Sequence, residues 1–149
     1  MKELDDSRFI ASTSGWFKNG ESDVFSEHCY FKHFKPKKSK KPLVLTEFGG
    51  YSFAPKGHRF NVENEYGYKK FKNPEEFVSG VCDLYEREII PSIEKGLCAA
   101  IYTQLSDVED ETNGFLSFDR KFLKIKPEEF LSISDKIYDE LNKIKNAGQ

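Results

Sequence analysis

The segment Pro42-Leu-Val-Leu-Thr-Glu-Phe-Gly-Gly50 decides how this chain is read. Leu43, Val44 and Leu45 form the apolar run that a strand buried on both faces requires, as in a parallel sheet covered by helices. One carboxylate, Glu47, closes the run, and two glycines stop it. An ionised Glu in a dry interior loses most of its solvation, so an acid here either has a use for its charge or is paired with a Lys or Arg. Parallel-sheet folds also place their chemistry at the C-terminal ends of their strands. Glu47 is therefore the leading functional candidate.

Downstream, residues 50 to 73 show no periodicity but carry Tyr51, Phe53, Phe60, Tyr66, Tyr68 and Phe71. A loop of that length in a compact domain is functional or disordered, and its rings argue against disorder. A helix is then expected, with Asn73 as N-cap, Pro74 at its first position, Glu75 and Glu76 in its first turn and Gly96 just past its end. Phe77, Val81, Leu84, Tyr85, Ile89 and Ile93 give it an apolar face, and Pro91 should kink it. Residues 98 to 104 (Cys-Ala-Ala-Ile-Tyr-Thr-Gln) return as a buried strand. Residues 42 to 104 thus make a strand–helix–strand unit, parallel and right-handed by rule. An acidic loop runs from Leu105 to Lys121, and a closing amphipathic helix from Pro127 to Lys145 uses Phe130, Ile133, Ile137, Leu141 and Ile144.

Upstream, Phe9 to Trp16 begins as a short strand and ends in small polar residues and the single Trp. Residues 23 to 30 form a second candidate strand ending in His28, Cys29 and Tyr30. Between it and the Pro42 segment, six lysines surround Pro36, the pattern of a solvated loop.

At 149 residues with a formal charge of −2, the chain suits one domain, 1–149, and gives no electrostatic reason to expect nucleic acid or an anionic membrane as partner. The aromatic content of 15%, with 14 Phe and 7 Tyr, fits either a ring-rich core or a site that stacks sugar faces. Cys29, Cys82 and Cys98 are odd in number and lack a C-x-x-C, which points to a reducing, cytoplasmic compartment and no structural zinc. Met1 to Phe9 has no apolar signal-type core, and no apolar run is long enough to span a bilayer. The acidic residues 107 to 113 fail the EF-hand spacing, because Thr112 stands where Gly is needed. No metal or cofactor is called for.

Taken together, Ser14-Gly15-Trp16, His28-x-Tyr30, Thr46-Glu-Phe-Gly-Gly50 and residues 101 to 114 (Ile-Tyr-Thr-Gln-Leu-Ser-Asp-Val-Glu-Asp-Glu-Thr-Asn-Gly) resemble the catalytic barrel of glycoside hydrolase family 2, the β-galactosidase and β-glucuronidase family. Their order is similar to strands five to eight of that (β/α)8 TIM barrel. The implied fold is α/β, a partial barrel made of those strands with their helices. The implied activity is retaining hydrolysis of O-glycosyl bonds, in which one carboxylate attacks the anomeric carbon and a second protonates the leaving oxygen.

Through the resemblance, Glu47 matches the nucleophile and Tyr30 a tyrosine that hydrogen-bonds it. Tyr102 matches the aromatic platform beneath the sugar ring, Trp16 and His28 fall at the site mouth, and Gln104 and Asp107 become candidates for binding sugar hydroxyls. The family's acid/base, the Glu of an Asn-Glu pair on strand four, has no counterpart. Asn64-Glu65 lies after the nucleophile, inside the long loop. The implied partners are a carbohydrate substrate and the missing N-terminal half of the barrel. In its absence, self-association would be expected over an uncovered barrel face including Leu43, Leu45, Ala99 and Ile101. A carbohydrate-binding module without catalysis, or a vestigial α/β domain, is the alternative.

Overall fold

The computed structural model describes residues 3–13, 15–17 and 21–147. Its centre is a three-stranded parallel sheet in the order β1 (Phe25–Cys29), β2 (Leu43–Gly49), β5 (Leu97–Thr103). A two-stranded parallel ladder, β3 (Tyr51–Ser52) with β4 (Lys69–Lys70), ties the two ends of the long loop together. The fold is thus mixed α/β with a small parallel sheet. Phe9 to Thr13 forms no strand. Instead Asp23 N–H donates to Ile10 O at 2.8 Å and Ser12 N–H to Ser22 Oγ at 2.9 Å, which lays the segment beside the approach to β1.

One face of the sheet is core. Leu43, Leu45 and Phe48 on β2 are at most 2% exposed, and Leu97 and Tyr102 on β5 join them. Strict alternation would send residue 47 the same way as 43 and 45. It does not, because the register slips by one on both sides of β2, after Leu45 against β5 and between Glu27 and His28 against β1. An irregularity of this kind re-aims side chains. Phe48 turns into the core while Glu47 turns to the opposite, open face, level with His28. Leu43 and Leu45 were expected on the uncovered face and are instead core; Val44, Ala99 and Ile101 occupy the open side by alternation.

The helical layer packs on the core face. In α1 (Pro74–Leu84), Asn73 Oδ1 accepts from Glu76 N–H at 2.8 Å, and Phe77, Val81 and Leu84 are buried. Rather than a simple kink, the chain makes a π-helical turn over Tyr85–Ile89 before α2 (Ile90–Ile93). Pro91 has no N–H to continue the i to i−4 ladder, so the irregularity falls in the turn before it. Gly96, at φ +95°, then releases the chain into β5.

α3 (Pro127–Ala147) buries Ile133 fully, with Phe130 and Ile137 against the core. Leu141 and Ile144, expected on the same face, are 37% and 39% exposed on a helix that packs against α1 and α2.

No helix lies between β1 and β2. A parallel crossover usually carries one; here residues 30–42 cross as coil, and Phe34, 4% exposed, plugs the core in its place. Glu88 holds the plug, accepting from Phe34 N–H at 2.7 Å and facing His33 Nδ1 at 3.0 Å. The expected helix-per-strand alternation therefore holds after β2 and after β5 only. Among the described residues no helix is long and apolar enough to cross a membrane.

Candidate functional site

All the polar side chains that meet at the site lie on the open face, at the C-terminal ends of the three strands. The Tyr30 hydroxyl donates to Glu47 Oε2 at 2.6 Å. A phenol has one proton, so the Thr103 hydroxyl, 3.0 Å from the same oxygen, is left to donate to it. β2, β5 and the residue just after β1 thus each contribute one member of a chain of hydrogen bonds ending on the carboxylate. Burial, and then the bond to Glu47, pushes the Tyr30 pKa well above its ordinary value, so this phenol remains a donor. Glu47 itself keeps a side chain 43% exposed, open to a ligand.

His28 flanks the carboxylate from the next strand. Its side chain is 3% exposed, with Nδ1 3.2 Å from Glu47 Oε2. The approach is off the hydrogen-bonding direction, and among the described residues neither ring nitrogen has a hydrogen-bond partner. Trp16, 58% exposed, stands edge-on to the imidazole with centroids 5.4 Å apart. Gly15 makes that approach possible, since a Cβ there would overlap the His28 ring. Ser14, in the same motif, lies outside the described residues.

Two expected site residues are elsewhere. Tyr102 is level with Phe48 on the core side of β5, one residue out of phase with Thr103. Its ring is 9% exposed, stacked on Phe115 at 4.4 Å and edge-on to Phe48, and it has no free face for a sugar. Asp107 is also structural. It is 1% exposed, and its Oδ1 accepts from Lys124 Nζ at 2.6 Å and Gly114 N–H at 2.8 Å. Burial pushes the Asp107 carboxyl up and the Lys124 ammonium down, and their contact opposes both shifts.

Gln104 follows the strand through a cis peptide and reaches the mouth, but both its amide hydrogens are engaged, with Glu111 Oε2 at 2.9 Å and Asn113 Oδ1 at 2.8 Å. Among the described residues no group of three or more His, Cys, Asp or Glu is arranged to hold a metal. Glu65 pairs with Lys70 at 3.1 Å.

Four residues escaped the sequence-based list: Thr103, Tyr68, Tyr66 and Glu111. Tyr68 stacks on Tyr30 at 4.2 Å, and its N–H donates to Gly50 O at 2.9 Å. A Cβ on Gly50, at φ +62°, would overlap the Tyr68 ring, which accounts for the second glycine of the Gly-Gly pair. Tyr66 meets Tyr68 edge-on at 5.6 Å and bridges to Glu111. The one available signal was the aromatic density of the 50–73 loop. In comparisons with protein-family models and with curated proteins, nothing matches this chain.

Proposed function

We propose that the chain forms the C-terminal half of the catalytic (β/α)8 barrel of a retaining, family 2-like glycoside hydrolase. Glu47 is the nucleophile that attacks the anomeric carbon, and Tyr30 is the donor that orients it. The observation that carries this is the 2.6 Å hydrogen bond from Tyr30 to Glu47 across neighbouring parallel strands, at the end where such sheets do chemistry. Covalent glycosylation needs an ionised, aimed carboxylate with one oxygen free, and a phenol donating to Oε2 leaves Oε1 for attack. The acid/base and the strands that complete the barrel belong to its N-terminal half, which would cover the open face. Three cysteines free of disulfides suit a reducing, cytoplasmic setting. A sugar-binding module without chemistry is the weaker alternative, because the ring that would serve as its platform, Tyr102, is buried.

The test is trapping with 2-fluoro glycosides followed by peptide mass spectrometry, on the chain alone and joined to any upstream coding sequence. An ester on Glu47 in the joined protein is the expected result. Labelling at a different carboxylate would refute the assignment.

A further inference from the structure

Glu111, held by Gln104 just beyond the end of β5, is a carboxylate that the proposed hydrolysis leaves without a role. Gln104 fixes its Oε2, while Oε1 has no hydrogen-bond partner among the described residues. Backbone bonds set its place: Tyr66 N–H donates to Asp110 O at 2.6 Å, Thr112 N–H to Tyr66 O at 3.0 Å, and Tyr68 N–H to Gly50 O. The residue 66–68 strip therefore ties the Glu111 segment to the end of β2, next to Glu47. Tyr68, lying between, registers both acids. Its pKa is pushed up to about 12, first by burial and the Tyr66 hydroxyl, then by the charges of Glu111 and Glu47.

A second, independent feature points to a ligand here. The buried imidazole of His28, with Nδ1 3.2 Å from Glu47 Oε2 but off its hydrogen-bonding direction, has no hydrogen-bond partner on either ring nitrogen among the described residues. Native proteins rarely leave a buried polar group so, and a catalytic or binding role for the group is one reason they do.

We propose, building on the glycosidase reading of this site, that Glu111 is a specificity residue that makes the mouth select neutral or amino pyranosides and reject uronides. A carboxylate with a free oxygen accepts sugar hydroxyls, gains from an ammonium and repels a second carboxylate.

The test is an NMR titration of the 149-residue chain with methyl β-glucoside, methyl β-glucosaminide and methyl β-glucuronide, for the wild type, Glu111→Gln and Glu47→Gln. Charge repulsion at contact range predicts that the uronide binds roughly tenfold more weakly than the glucoside at low salt, and the glucosaminide at least as well. Raising salt from about 10 mM to about 0.5 M should narrow the gap in the wild type itself, which requires no variant to fold. Glu111→Gln should narrow it several-fold, by strengthening the binding of the uronide. Equal binding of uronide and glucoside, or a gap indifferent to salt and to Glu111, would overturn the selectivity and leave the nucleophile assignment standing. No binding of any sugar by the wild-type chain would overturn the sugar-recognising mouth itself, with Glu47 still decided separately by trapping.

Discussion

The ring of Tyr68 lies on that of Tyr30, centroids 4.2 Å apart and planes 21° from parallel. It comes from the long loop, not from a strand, so the loop fixes the phenol that fixes the Glu47 carboxylate. In the active protein, Glu47→Gln should lower kcat by several orders of magnitude with the fold intact. Tyr30→Phe removes only the donor and should cost about 10–100-fold, the scale of one charge-assisted hydrogen bond at a reacting group. Tyr68→Ala should fall between Tyr30→Phe and wild type, since it loosens the ring without removing the hydroxyl. Steady-state kinetics with an aryl glycoside, alongside circular dichroism, measures all three. Near-normal turnover in Glu47→Gln would end the assignment.

Tyr102 should behave as a core residue. Its ring fills the space between Phe48 and Phe115, so Tyr102→Ala should cost about 3–5 kcal/mol in denaturant unfolding. Its hydroxyl has only a long contact, 3.4 Å to Tyr51 O, so Tyr102→Phe should change stability by no more than about 1 kcal/mol. Sugar affinity should be unaffected in Tyr102→Phe. Gly49→Ala should be destabilising for the same packing reason, because at φ +85° a Cβ would overlap the Tyr102 ring.

The difference between Tyr102 and Thr103 shows what was legible beforehand. The apolar run at 43–45, the helix start at Asn73-Pro74 and the return strand near 98–104 are local signals, and each element formed. Parity along a strand is also local until a register slip intervenes, and none of the residues around Thr46 or Cys98 announces one. That slip puts Glu47 and Thr103 on the open face and Tyr102 behind it. Asp107, a candidate for sugar hydroxyls only through the resemblance, is engaged by Lys124, which is 17 residues away and equally buried, a pairing no local pattern signals. Tyr66, Tyr68 and Glu111 reach the site through loop pairings that carry no periodicity.

Five of the seven tyrosines, at 30, 51, 68, 85 and 102, have pKa values raised by burial, with Tyr68 at about 12. A phenol whose pKa rises on folding holds its proton more tightly in the folded chain. Its contribution to stability is complete below the unfolded value of 10.0 and is lost as pH climbs through the folded one. Stability should therefore be flat in these groups up to about pH 10 and fall above it. Absorbance at the phenolate band should show most tyrosines ionising together with alkaline unfolding, not before it. Five phenols titrating near their ordinary value in a chain still folded would contradict the burial described here.

The open face predicts the state of the isolated chain. β1 and β5 are both edge strands, and Ile101 is 55% exposed on the face that a closed barrel would bury, with Ala99 beside it. An unpaired parallel edge next to an apolar strip is a template for another strand. Covering it gains about 25 cal/mol per Å², and a two-fold pair of chains is the simplest arrangement that covers both copies. On the proposed glycosidase reading such a pair holds two copies of Glu47 and no acid/base partner, so the chain alone should be dimeric or larger and hydrolytically silent. Ile101→Lys places a charge in that strip and should shift the population toward monomer, while leaving the core face of β5 untouched. Multi-angle light scattering reads both states. A stable monomer in the wild type would defeat the association, and glycosidase activity that Glu47→Gln abolishes in the isolated chain would defeat the need for a second half.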